Sequence, residues 1–170
     1  AATLSELEDI YRPYKQKRRT RAMIAKEKGV QPLADLIFAQ RRGDDPLALA
    51  QAYVSEEKGV PDAETAVQLA QDILAEQISD DAALRANLRA LYRRTGVLRS
   101  VAAKEGESVY AQYADYREPV LRAAGHRILA INRGEREEWL KAAVECDDEQ
   151  AMQIICRAVI RPGSACCDVV

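Results

Sequence analysis

DAETAVQLAQDILAEQISDDAALRANLRALYRRTG, residues 62–96, is the stretch that decides the fold class. Asp62 is placed to cap a long helix whose Ala66, Leu69, Ala70, Ile73, Leu74 and Ile78 recur on one stripe. Ser79 or Asp80 restarts the chain, and Leu84, Leu88, Leu91 and Tyr92 make a second stripe that Gly96 ends. Two amphipathic helices across a two-residue joint predict an αα-hairpin.

Upstream of that pair, short helices with legible caps are expected. Thr3 or Ser5 can cap a first helix, with Glu6 as the reciprocating partner of Thr3 and Leu4, Leu7, Ile10 and Tyr11 on one face. Pro13 disfavours helical geometry at Arg12 and should stop it there. Thr20 caps Arg21 to Lys28, with Gly29 as a left-handed stop. Pro32 opens a helix carrying Leu33, Leu36, Ile37 and Gln40 as far as Gly43, and Asp45-Pro46 opens Leu47 to Val54.

Downstream the pattern is less decisive. Val97 to Gly106 reads as a loop or a short strand. Ser108 to Tyr116 is expected to be helical, and Pro119 should begin a further short helix. His126 to Arg133 is expected to be a helix closed by Gly134. Leu140 to Cys146 fits helix and strand about equally, with a slight lean to helix. Met152 to Ile160 is expected to be helical before Pro162-Gly163 breaks it.

Composition agrees with a helical protein. The 170 residues are 48% hydrophobic, 31% charged and only 5% aromatic, and Ala, Leu, Glu, Arg and Gln favour helix over sheet. The expected class is all-α, a multi-helix array with at least one αα-hairpin and room for one short strand pair. Division near Gly96 to Gly106 would give an N-terminal helical subdomain, 1–96, and a second, 97–170, truncated at its C-terminal end. The chain begins at Ala1 and ends in Asp168-Val169-Val170, which leads us to expect a fragment whose terminal helices leave apolar faces uncovered or pair with a second copy to hide them.

The net charge of −2 conceals a local imbalance. Arg12 to Lys28 holds eight Lys or Arg against Glu27 alone, whereas Ser55 to Ala90 holds eight acids against three bases and reads as solvated helix faces. A pI near 5.6 argues against a polyanion-binding domain as a whole but not against a basic patch. The four cysteines show no CxxC spacing, and the single histidine, His126, cannot complete a zinc site by itself. Free thiols and a cytoplasmic location are expected. No run approaches the ~20 apolar residues of a membrane span.

Leu7-Glu8-Asp9, Pro13-Tyr14-Lys15, the Lys17-Arg18-Arg19-Thr20-Arg21 run and the Glu27-Lys28-Gly29 helix end make a distinctive sequence of steps. Gln31 to Ile37, Leu91 to Ser100, Tyr113 to Tyr116 and His126 to Glu135 continue it. Together they resemble the bacterial Tex family of transcription accessory proteins over nearly the whole chain, more weakly after about Asp148. Such proteins are much longer, with an RNase-H-like domain, a helix-hairpin-helix module and a C-terminal OB-fold that binds RNA. None of these is legible here, so the resemblance implies an N-terminal piece. It also implies a non-catalytic helical scaffold segment, whose partners would be RNA or DNA through the full-length protein, the transcription machinery and other domains of the same chain.

The candidate nucleic-acid contacts are Lys15, Lys17, Arg18, Arg19 and Arg21. Adjacent phosphates need several cations, Arg adds bidentate geometry, and Tyr11 and Tyr14 could stack on unpaired bases. The same cations could instead pair with acids elsewhere in the protein and pin the segment as a strap. Arg93, Arg94 and Arg99 flank Gly96, where cations favour a helix C-terminus. His126 lacks a nucleophile or orienting carboxylate at any telling spacing. No glycine-rich phosphate loop, HExxH or GxSxG occurs, so neither an enzyme nor a cofactor is expected. The alternative function is a protein–protein interaction module with no nucleic-acid affinity of its own.

Overall fold

The computed structural model describes residues 3–15, 18–106 and 108–170. The chain divides into two compact units, Ala1–Arg85 with Ile155–Val170, and Ala86–Ile154. The first unit is therefore discontinuous in sequence, whereas the sequence pattern suggested one cut between 1–96 and 97–170.

Among the described residues, the elements of the first unit are helices and 3-10 turns, with one isolated antiparallel bridge between Ser55 and Val60. α1 (Leu4–Tyr11) is capped by Thr3, whose hydroxyl accepts from the Glu6 amide at 3.3 Å. Arg12 keeps helical angles despite the proline that follows, and a 3-10 turn, Arg12–Tyr14, carries the chain on. α2 (Arg21–Glu27) is capped by Thr20 and stopped by Gly29 at φ 82°. α3 (Gln31–Ala39) ends earlier than expected, at Gln40, which takes left-handed angles three residues before Gly43. α4 (Pro46–Ala50) follows its Asp45 cap.

α5 (Ala63–Asp80) is the axis of this unit. Asp62 caps it by accepting from the Thr65 amide at 2.7 Å. The Ala66, Ala70, Ile73 and Leu74 stripe is buried, as its spacing required. It packs against α2, α3 and α4, and alanines at 22, 25, 34 and 50 let these helices approach closely. The expected pairing of α5 with the following helix is not what covers this stripe. α6 (Ala82–Thr95) is capped by Asp81 rather than Ser79 or Asp80, and from Ala86 onward it belongs to the second unit.

Three late segments complete the first unit. At the end of α8 (Asp148–Val159) the Gln40 side-chain Nε2 donates to the Val159 carbonyl at 2.9 Å. The Gln40 side-chain oxygen accepts from the Arg161 amide at 2.7 Å. Cys166, in a closing 3-10 turn, is fully buried in the first core, with Val169 and Val170 against it. By contrast the apolar face of α1 stays open: Leu4, Leu7, Ile10 and Tyr11 are 54–72% exposed.

The all-α expectation is corrected in the second unit. Three antiparallel strands, β1 (Val97–Ala102), β2 (Asp115–Pro119) and β3 (Leu140–Glu145), form a sheet in the order β2-β1-β3. The stretch expected to be helical from Ser108 to Tyr116 yields only a 3-10 turn, Ala111–Tyr113, before β2 begins. In β2, Tyr116 and Glu118 are half-buried and alternate with exposed Asp115, Arg117 and Pro119, a strand period. Leu140 to Glu145 becomes a strand because it pairs with β1 along its whole length.

α7 (Gly125–Arg136) runs straight through Gly134, which does not end it. This helix packs on β3, and Tyr110, Tyr113, Ile131 and Leu140 form the second core. A Cβ on Gly134 would lie 2.6 Å from Leu140 Cδ1 and 3.1 Å from Tyr110 Cγ, so the glycine is there for close approach.

Candidate nucleic-acid interface

The basic segment is tied to α5 by a ladder of carboxylates. Asp72, Glu76 and Asp80 are spaced four residues apart, which places them on one face of a helix. Arg12 Nε meets Asp80 at 3.0 Å, Lys26 Nζ meets Glu76 at 3.6 Å and Arg21 lies 3.9 Å from Asp72. Thr20 serves two purposes. Its hydroxyl accepts from the Met23 amide to start α2 and donates to Glu76 at 3.1 Å. A further anchor holds α1, where Arg85 Nε donates to buried Asp9 at 2.8 Å.

The cations of these pairs are largely exposed and the α5 carboxylates much less so; Asp80 is only 12% exposed. Each such pair contributes about 0.2–1 kcal/mol. The ladder works as a set, fixing the path of the strap more than the stability of the fold. A groove of about 620 Å³ lies beneath it, lined by Lys15, Met23, Lys26, Glu76, Asp80 and Asp81 among others.

The five sequence candidates separate into different environments. Arg21 faces Asp72, and Arg19 donates to Glu27 at 2.9 Å within the same segment. Lys15 and Arg18 are exposed and make no ion pair among the described residues. Lys17 lies outside the described residues. Tyr11 and Tyr14, beside them, are also exposed. Sequence reasoning missed Arg12 and Lys26 as anchors. It also read Asp72, Glu76 and Asp80 as solvated, although their i, i+4, i+8 spacing was visible.

The other candidates lie apart from the strap. Arg93 and Arg94 occupy the last turn of α6. Arg99 is on β1, where its guanidinium donates to Glu145 at 2.8 Å and Arg117 donates to the other oxygen at 2.8 Å. The Arg99 hydrogen bond is the largest influence holding the Glu145 carboxyl below its ordinary value. His126 is exposed in the first turn of α7. The four cysteines are free, and no cluster of metal-ligating side chains occurs among the described residues.

Comparison with known proteins bears on this geometry. Residues 41–164 match the family model described as Tex central region-like. YdcI of Bacillus subtilis is 46% identical over 146 residues, 84% of this chain and 20% of its own length. Protein tex of Bordetella pertussis is 40% identical over 167 residues, 96% of this chain and 21% of its own. The transcriptional accessory protein Tex of Neisseria gonorrhoeae is 43% identical over 143 residues, 82% and 18%. The chain spans about a fifth of the length of these relatives. With well over half of its residues under the family model, this chain belongs to the Tex family.

Proposed function

We propose that this chain is a non-catalytic helical scaffold within a cytoplasmic transcription accessory protein, holding a basic strap on α5 so that its outermost cations meet nucleic acid. The observation that carries the reading is the ladder. Asp72, Glu76 and Asp80 engage Arg21, Lys26 and Arg12, while Lys15 and Arg18 remain exposed beside Tyr11 and Tyr14. Anchored cations set the direction of the segment, and the exposed ones can neutralise phosphates without first breaking a pair. A relative named as a transcriptional accessory protein supports the same setting. RNA or DNA would be engaged through the whole protein, alongside its other domains and the transcription machinery. No helix among the described residues is long and apolar enough to cross a membrane.

Binding of single-stranded RNA and duplex DNA, measured between about 50 and 200 mM salt, tests the reading. Affinity should fall steeply with salt in the parent chain and drop several-fold in Lys15→Ala/Arg18→Ala. Binding that ignores both salt and these substitutions would remove the strap from the contact surface.

A second reading has its own observation. Leu4, Leu7, Ile10 and Tyr11 form an open apolar face on α1, a surface suited to another protein segment. A complex that resists salt and is lost in Leu7→Gln/Ile10→Gln would support a protein-interaction module instead.

A further inference from the structure

One side of the three-stranded sheet is covered by α7 and the Tyr110–Tyr113 segment, and the other is open to solvent. Strand alternation places Arg99, Arg117 and Lys141 on that open side, with Val101 and Ala143 between them. The register puts Arg99 directly opposite Arg117, and Lys141 opposite Val101, one diagonal step from Arg99. Like charges held opposite one another on adjacent strands are unfavourable by themselves. Glu145 offsets this by bridging both arginines, and Asp115 stands opposite Val101. Three cations thus share a face with two carboxylates.

The bridge also orients. Each guanidinium commits one terminal nitrogen to Glu145 and carries further N–H donors. Lys141 makes no ion pair among the described residues. Because Val101 and Ala143 are small, a shallow cleft of about 240 Å³ opens between Arg99 and Lys141, with Glu145 at its rim.

We propose that this open face docks the sugar–phosphate backbone of single-stranded nucleic acid, with one phosphate seated between Arg99 and Lys141 and its neighbour against Arg117. The proposal rests on the reading that the chain works on nucleic acid but not on the strap. A sheet directs its backbone N–H and C=O groups within its own plane, so a peptide lying on the face would find no main-chain partners. A nucleic-acid strand needs none, since its charge lies in its own backbone, and paired N–H donors of arginine suit phosphate oxygens. The three strands carry no exposed aromatic ring on this side, so the contact is to the backbone and indifferent to base sequence.

The test is fluorescence anisotropy of a labelled 15-nucleotide RNA with the 170-residue chain and three variants, each checked for parental thermal melting. Ala143→Leu leaves every charge in place but fills the cleft, and should weaken binding at least five-fold. Arg99→Ala/Lys141→Ala should weaken it ten-fold or more, and should flatten the plot of log K against log salt by roughly 0.7 for each phosphate that is no longer neutralised. Lys15→Ala/Arg18→Ala addresses the strap separately. Binding that disappears only in the strap variant overturns the sheet proposal and leaves the strap as the binding surface. Ala143→Leu binding like the parent overturns the cleft as the seat. No RNA binding by any of the proteins overturns both surfaces, and a polyglutamate peptide that binds where RNA does not overturns the sheet proposal in favour of an acidic protein partner.

Discussion

Gly134 shows how narrowly a single position can be specified. Alanine would ordinarily strengthen a helix interior by about 1 kcal/mol relative to glycine. Here its Cβ would meet Leu140 Cγ at 2.9 Å and Tyr110 Cγ at 3.1 Å, the centre of the second core. We expect Gly134→Ala to cost about 1–3 kcal/mol in urea denaturation, the range of overpacking. Leu140→Val in the same background should recover part of it. Glu118 is specified by charge instead. Its carboxylate accepts from Tyr116 Oη at 2.6 Å and from Arg127 Nε at 3.0 Å. The Tyr116 hydrogen bond, with that of Arg127, holds its carboxyl below the ordinary 4.5. A carboxyl depressed in the folded state stabilises above the unfolded value, and loses that contribution as pH falls through the folded one. Thermal melting should therefore drop as pH is lowered from about 5 to 3. Glu118→Gln should melt lower at neutral pH and show a shallower decline. Ser100 is a contrasting residue: its hydroxyl is fully buried with no partner among the described residues. Ser100→Ala is expected to be neutral or to stabilise by up to about 1 kcal/mol, because an unsatisfied buried group is costly.

Between elements, the ties described between the strap and α5 run through side chains, with Arg12, Thr20, Arg21 and Lys26 meeting Asp80, Glu76 and Asp72. The Asp72→Asn/Glu76→Gln/Asp80→Asn variant should lose about 1–3 kcal/mol, the sum of pairs whose cations are exposed. It should nevertheless be cut by trypsin within Arg12–Lys28 much faster than the parent; unchanged digestion would mean the ladder does not hold the strap. Four helix starts were readable from sequence because each depends on neighbours within one turn: Thr3, Thr20, Asp45 and Asp62 cap where expected, whereas α6 takes Asp81 in place of Ser79 or Asp80. The strands were read only as alternatives at Val97 to Gly106 and Leu140 to Cys146, because β1 to β3 owe their form to partners up to 48 positions away, as in Val97 with Glu145. Leu140 to Glu145 carries no period that excludes a helix, and only β1 decides it. The candidate site divides along the same line. The cations of the strap were evident, and so was the spacing of Asp72, Glu76 and Asp80, but which charge meets which is a tertiary fact.

At the scale of the molecule, the two units rest on unequal cores. The first buries Val30, Leu33, Ile37, Val60, Ile73 and Leu74 almost completely, along with a row of alanines. The second is built on Tyr110, Tyr113, Ile131 and Leu140. Amide hydrogens of β1 should accordingly exchange through openings of lower free energy than those of Ile73 and Leu74. Equal protection in both would show that the units open together. The closure of the first unit by Gln40, Cys166 and Val169 has a temporal consequence. A ribosome releases the chain in order, and domains generally fold as units as they emerge. Residues 86–154 make up a continuous unit that is complete once Ile154 is out. The first unit must wait for Val159 and Arg161 to reach Gln40, and for Cys166 to enter its core. Within residues 3–170, the unit that is begun first is therefore the unit that is completed last.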